Sequence, residues 1–251
     1  MMEVKYRKSK GLTDKPLSYC PGCTHGIIHK LVAESLEELG VLDTTVGIAS
    51  VGCSVFAYEF FNCDMIQCPH GRAAAVGTGI KRTHPDDIVF TYQGDGDLAS
   101  IGIAETIHAA NRGENITIIF VNNAIYGMTG GQMAPTSLIG QKTTTSPLGR
   151  DQHLHGSPIK ISEMFATIDS VAYLERVAVY NPRQVRNAKN AIKKAFTYQK
   201  EKRGFTMIEI LSTCPVNWGK TPQDALKWVE EDMTKVFPLG IFKDAGVPIH
   251  E

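Results

Sequence analysis

The chain has 251 residues, and 26 lysines and arginines balance 26 acids, so its formal net charge is zero. A neutral chain advertises no nucleic-acid surface, no apolar run approaches the roughly 20 residues of a membrane span, and the start MMEVKYRKSKGLTDKP lacks the apolar centre of a signal peptide. A cytoplasmic location follows as the expectation, with the six cysteines serving as thiols, metal ligands or catalytic groups rather than structural disulfides.

The first predicted helix is THGIIHKLVAESLEELG, opened by Thr24 as a cap and stopped at Gly40. The β-rich run TTVGIASVGCS ends in Gly52-Cys53-Ser54. GRAAAVGTGIKRTHP is a helix of small residues ended by Pro85. DIVFTYQ is a strand, LASIGIAETIHAANR a helix, and NITIIFVNN a strand whose unbroken apolar run marks burial on both faces. From Tyr126 to about Ser157 no element is predicted, and a loop that long inside a compact domain points to function. VAYLERVAV, over 171–179, is a weaker strand. PRQVRNAKNAIKKAFTYQKEK is a helix with Pro182 in its first turn, and FTMIEILS is expected to be the last strand. The tail, about 219–251, is expected to pack as a helix and an extended arm on the core or on a partner. Alternating strands and helices predict an α/β fold, a doubly wound and mostly parallel sheet, as a single domain over 1–251.

In such a sheet ligands collect at the carboxyl ends of strands, where the strand order reverses. Three unusual sequences fall there: VGCS, GDGD and VNNAIYG. Glycines after a strand let backbone N–H groups approach a phosphate. Asp95 would repel a bare phosphate but suits one bridged by a divalent cation. Magnesium takes hard oxygens, usually one or two carboxylates plus phosphate oxygens. Asn123 offers a second ligand and the carbonyl of Ile125 a third. Alone, GDGD and NN read as ordinary turns. One strand–helix–strand unit apart, they favour a Mg²⁺–diphosphate site.

Cys20 and Cys23, in YCPGCTHG, form a C-x₂-C pair just before a helix, able to chelate zinc, carry redox chemistry or hold an iron–sulfur cluster. Cys53 and Cys214 each follow a strand and complete a four-thiolate set that suits zinc or a cluster. Cys63 and Cys68 read as small apolar residues, and His153 and His155 as loop histidines. In PHGRAAAVGTG, His70 fits a hydrogen bond to diphosphate or substrate and Arg72 a pair with a carboxylate; a structural histidine and a helix-capping arginine fit equally. Met128 and Met133 are expected to line an apolar pocket.

Gly94-Asp95-Gly96, followed one helix and strand later by Asn122-Asn123, resembles the thiamine diphosphate motif. NNAIYGMTGGQMAPT and PHGRAAAVGTG resemble, more narrowly, the β subunits of 2-oxoacid:ferredoxin oxidoreductases. The resemblance covers about residues 16 to 220. It implies the diphosphate-module fold of thiamine enzymes, with Mg²⁺ on Asp95, Asn123 and the Ile125 carbonyl. Gly52, Cys53, Ser54, Gly71, Gly94, Gly96, Asp97 and Thr129 would lie against the cofactor, with His70 and Arg72 in catalytic roles. It implies a 4Fe–4S cluster on Cys20, Cys23, Cys53 and Cys214, the first two in a turn at about 16–26. The implied reaction is oxidative decarboxylation of a 2-oxoacid with coenzyme A to acyl-CoA and CO₂, the electrons passing through the cluster to ferredoxin. The loop sequence resembles the 2-oxoglutarate or branched-chain branch; Lys142 and Arg72 are the candidate clamps for a distal carboxylate, and a neutral loop favours an apolar tail. The resemblance also implies an α subunit whose pyrimidine-binding domain supplies the activating glutamate, with γ and ferredoxin-like δ subunits as further partners. Two alternatives remain: a non-oxidative thiamine diphosphate-dependent decarboxylase subunit, which has no use for four cysteines, and a zinc-stapled module without catalysis.

Overall fold

Strand β4, Thr117–Asn122, is the fourth of seven strands in one sheet, and all its residues are buried. Its side chains alternate between two cores, as a strand covered on both faces requires. Ile118 and Phe120 pack with Ala74 of helix Ala73–Thr83 and Ala109 of helix Ile103–Asn111; Ile119 and Val121 pack with Ile28 of helix His25–Glu38 and Ile192 of helix Pro182–Lys200. This computed structural model describes residues 7–245.

The other strands are β1 Thr45–Ala49, β2 Asp64–Gln67, β3 Ile88–Gly94, β5 Val171–Ala178, β6 Phe205–Leu211 and β7 Gly240–Asp244. Their order is β2-β1-β3-β4-β6-β5-β7, parallel throughout except that β7 runs antiparallel to β5. The chain leaves β1 for β2 on one side and returns as β3 on the other. The order therefore reverses between β1 and β3, which opens a crevice beyond their carboxyl ends. Among the described residues no helix is long and apolar enough to cross a membrane.

Several elements depart from the sequence expectations, each for a local reason. FTMIEILS, now β6, is not the last strand: the extended arm of the tail returns as β7 and pairs with β5. The predicted tail helix is several short pieces, Pro222–Trp228, the wide-turned Val229–Met233 and Thr234–Val236. They cover Ala124, Ala178 and Leu211 near the crevice. Residues 246–251 of the arm lie outside the described residues. The short strand β2, DMIQ, was not predicted; it is polar and largely exposed at the sheet edge. Thr24 precedes its helix but makes no side-chain cap. Its hydroxyl instead meets Ser212 Oγ at 2.7 Å and accepts from the Thr213 N–H at 3.1 Å, which fastens the C-x₂-C turn to the end of β6. Asn181 does cap its helix, accepting from the Gln184 N–H at 2.9 Å ahead of Pro182.

The segment after Tyr126 has almost no regular structure, yet it is held together by one buried cation. The Arg150 guanidinium is 5% exposed and donates to the carbonyls of Ser137 at 2.7 Å, Pro135 at 2.9 Å, Gly156 at 2.9 Å and Ser157 at 2.9 Å. A fork of five donors suits converging carbonyls that no strand or helix partners.

Candidate functional site

The crevice is a cleft of about 820 Å³, open mouth included, a size that suits a cofactor. Asp95, just past β3, is buried in its wall. Its carboxylate accepts the N–H of Asn123 at 3.1 Å and a short hydrogen bond from Thr136 Oγ1. Burial pushes the carboxyl up to about 7, against the hydrogen bonds from Thr136, Asn123 and Ala124 that lower it. No lysine or arginine is among these partners. A carboxylate placed so, well supplied with donors but lacking a positive charge, fits a cation site.

The Asn122–Ile125 turn lies directly beside it, at the end of the neighbouring strand β4. Ala124 sits at φ +56°, a conformation unusual for a side-chain-bearing residue. The turn is held from three sides. Asn122 Oδ1 accepts the Ala124 N–H at 3.1 Å, and its amide donates to the buried Glu209 at 2.8 Å. Ser137 Oγ and Gln141 Nε2 donate to the Ala124 carbonyl at 2.6 and 2.8 Å. Asn123 Oδ1 accepts the Ile125 N–H at 3.3 Å.

Asp97, two residues after Asp95, is engaged differently. Its Oδ1 accepts from His70 Nδ1 at 2.7 Å and from the Gly71 N–H at 2.6 Å; its Oδ2 accepts from Gln93 Nε2 at 2.6 Å, and Gln93 accepts from Thr91. An ionised carboxylate only accepts, so Nδ1 carries the proton and Nε2 is the free nitrogen of a histidine that lines the cleft. The close crossing rests on glycines: a Cβ on Gly102 would stand 2.4 Å from the Asp97 carbonyl and 2.9 Å from Gly71 Cα, and Gly71 itself has φ +76°. Here the chain opens its helix with the wide turn Asp97–Ile101 before the regular Ile103–Asn111.

Of the residues singled out from sequence, Gly52, Cys53, Ser54, His70, Gly94 and Gly96 line the cleft, as do Asp95, Asp97, Asn123, Ile125 and Thr129. Arg72 does not. Its guanidinium pairs with Glu105 at 2.6 Å and donates to the Gly71 carbonyl at 3.1 Å. Lys142 and Met133 are also outside the lining, whereas Met128 is part of it. Neighbours of these groups that the sequence did not single out are Thr136, Ser137, Gln141, Glu209 and Asn217. Thr136, Ser137 and Gln141 lie in the aperiodic loop, Asn217 in a four-residue helix, and Glu209 is an acid inside the apolar strand β6.

The C-x₂-C turn closes with the Cys23 N–H donating to the Cys20 carbonyl at 3.0 Å, and Thr213 Oγ1 donates to the Gly22 carbonyl at 2.7 Å. Tyr19 bridges to the carbonyl of Cys53 at 3.1 Å. Cys53 and Cys214 meet at the cleft loop, where a Cβ on Gly127 would stand 3.5 and 3.3 Å from their sulfurs. Burial pushes the Cys23 thiol up to about 12, and Cys53, Cys214 and Cys20 add to it; Cys53 is pushed up to about 11 by burial, then by Cys214 and Cys20. The four thiols therefore form one electrostatic group. Among the described residues no three His, Cys, Asp or Glu side chains converge as the ligands of a single ion would. Thiolates alone suit either zinc or an iron–sulfur centre. Cys63 and Cys68 belong to different apolar clusters, beside Met65 and Ser50. His153 and His155 lie in a short exposed helix capped by Asp151.

Residues 50–210 match the family model described as thiamine pyrophosphate enzyme, C-terminal TPP binding domain. A ketoisovalerate oxidoreductase subunit VorA of Methanothermobacter thermautotrophicus is 47% identical over 239 residues, 95% of this chain and 50% of that protein. A 2-oxoglutarate synthase subunit KorB of Methanocaldococcus jannaschii is 35% identical over 236 residues, 91% of this chain and 82% of that one. Among solved structures, the 2-oxoglutarate:ferredoxin oxidoreductase of Magnetococcus marinus, with 2-oxoglutarate, coenzyme A and succinyl-CoA bound, matches with a TM-score of 0.79 at 26% identity, over 97% of this chain and 87% of that chain. The chain thus spans about half the length of the ketoisovalerate relatives and most of the 2-oxoglutarate ones.

Proposed function

The chain belongs to the thiamine pyrophosphate-binding subunits of 2-oxoacid:ferredoxin oxidoreductases, and from that membership we propose that it is the diphosphate- and electron-handling subunit of an enzyme that oxidatively decarboxylates a branched-chain 2-oxoacid. The overall reaction takes the 2-oxoacid and coenzyme A to acyl-CoA and CO₂, with ferredoxin as electron acceptor. The observation that carries this reading is Asp95: a buried carboxylate supplied with hydrogen bonds but no cation, set directly beside the Asn123 turn at the crevice.

Asp95, Asn123 Oδ1 and the Ile125 carbonyl would hold Mg²⁺. Gly94, Gly96, Gly52, Ser54 and Thr129 would admit the diphosphate, the glycines because a bare backbone lets phosphate oxygens come close. Thiamine diphosphate, when bound, supplies the carbon nucleophile and electron sink that decarboxylation of a 2-oxoacid needs. His70, fixed by Asp97 with its proton on Nδ1, presents Nε2 to the cleft as a proton acceptor. Cys20, Cys23, Cys53 and Cys214 would carry a 4Fe–4S cluster, and Cys53 and Cys214 stand against the loop that walls the cleft. The glutamate that thiamine enzymes use on the pyrimidine ring would come from a partner subunit.

For the substrate, the cleft wall formed by Val51, Ile101 and Met128 is apolar, and no lysine or arginine lines it among the described residues. A distal carboxylate would be left unpaired there, which favours a 2-oxoisovalerate-like tail over 2-oxoglutarate. The greater identity to the ketoisovalerate relatives points the same way.

The deciding experiment is calorimetric titration of thiamine diphosphate and Mg²⁺ into the native assembly and its Asp95→Ala variant. Loss of Mg²⁺-dependent binding is expected; binding unchanged by the substitution would overturn the assignment. A panel of 2-oxoacids with a viologen acceptor then reads the tail preference.

A further inference from the structure

Asn217 lies between the cleft loop and the cysteine group. Its side-chain nitrogen has two protons to give. One goes to the carbonyl of Gly127 at 2.9 Å and the other to Cys214 Sγ at 3.2 Å. The loop is shaped around this amide: a Cβ on Gly131, itself at φ +85°, would stand 3.0 Å from Asn217 Oδ1, and one on Gly127 would stand 3.7 Å from Nδ2. The residue sits in the short helix Pro215–Trp218, which begins directly after Cys214, so sulfur and donor are fixed relative to each other by a few covalent bonds.

We propose that Asn217 is a positioning residue that sets the reduction potential of the cluster on the four cysteines and locks the cleft loop to it. This rests on the four-cysteine reading above. An N–H···S hydrogen bond draws charge from the ligand sulfur and favours the more negative, reduced cluster. Without it, one-electron reduction becomes harder. The second hydrogen bond from the same nitrogen keeps Gly127, and with it Tyr126–Thr129 of the cleft wall, at a fixed distance from the Cys53 and Cys214 sulfurs. Because cleft wall and sulfur share one amide, displacing the loop also loosens the donor to Cys214.

The test uses the native assembly, purified anaerobically, with Asn217→Leu and Asn217→Asp variants. Iron and sulfide per chain are measured first, then the midpoint potential by optical redox titration, and hydrogen exchange over residues 126–131. Asn217→Leu should keep its iron, become roughly tenfold harder to reduce, about 59 mV lower for a one-electron couple, and exchange faster in the loop. Asn217→Asp keeps the shape, loses the donor and adds negative charge, so its potential should fall further. Intact clusters with unshifted potentials in both variants would overturn the proposal. Loss of iron from both with the fold preserved would overturn it too, since the residue would then serve cluster retention rather than potential. A wild-type assembly without iron would refute the four-cysteine reading itself, a separate and recognisable outcome.

Discussion

Asp95 and Asp97 stand two positions apart and are held in opposite states. Asp97 is saturated by His70, Gly71 and Gln93; Asp95 has hydrogen bonds but no charge partner, and its carboxyl is pushed up to about 7. The Thr136 hydroxyl is the side-chain donor that keeps the Asp95 carboxylate aimed. Thr136→Val removes that donor with little change in volume. A hydrogen bond to a charged group contributes about 1.5 kcal/mol or more, so Mg²⁺-dependent cofactor affinity should fall about tenfold or more. Calorimetry reads this directly, and unchanged affinity would mean the hydroxyl does not support the ligand. Asp95, Asn123 and the glycines were legible because their residue types are odd at a strand end. Thr136, Ser137 and Gln141 were not, because they act through contacts that cross an aperiodic loop. Arg72 stands next to a site motif, but the carboxylate it pairs with is Glu105, a partner the sequence did not point to.

Among elements, β4 joins fold to site most directly. It carries Phe120 into one core and ends at Asn122, with Asn123 the next residue. Phe120→Ala should cost about 3–5 kcal/mol, the range for deleting a buried aromatic ring, read as a lower urea midpoint with unchanged denaturant dependence. A cost below 1 kcal/mol would show the core collapsing into the space. Strands such as β3, β4 and β6 were readable because burial on both faces demands an apolar run. The edge strands β2 and β7 were not, since one-sided exposure leaves a polar, short sequence. Thr24 looked like a cap in isolation, but the competing pull of Ser212 and Thr213 from the far end of the chain wins its hydroxyl. The helix start at Asp97 became a wide turn because Gly71 crosses there.

At the scale of the molecule, the cysteine group backs onto a buried ladder of rings: Tyr19 stacks on His25 at 4.7 Å and His29 on Tyr92 at 4.7 Å. Burial lowers His25 to about 4; burial, and then His25, hold His29 well below the ordinary imidazole value. The unfolded chain takes up protons near pH 6.5 that the folded chain refuses, so stability is full above that pH and falls as pH drops below it. Each histidine should contribute a loss of about 1.4 kcal/mol per pH unit at its steepest. Urea midpoints from pH 7 to 5 should therefore decline, and His29→Gln should flatten the decline even if it lowers stability overall; an unaltered slope would exclude His29 as a source.

The hydroxyl contact of Thr24 with Ser212 spans 188 positions of sequence. It sets a biosynthetic order. No nascent fragment ending before residue 214 contains all four thiols, and the turn bearing the first two reaches the last only after the terminal parallel strand has docked. Assembly of the proposed cluster would thus be a late event, because a truncated or stalled chain would keep these four sulfurs apart.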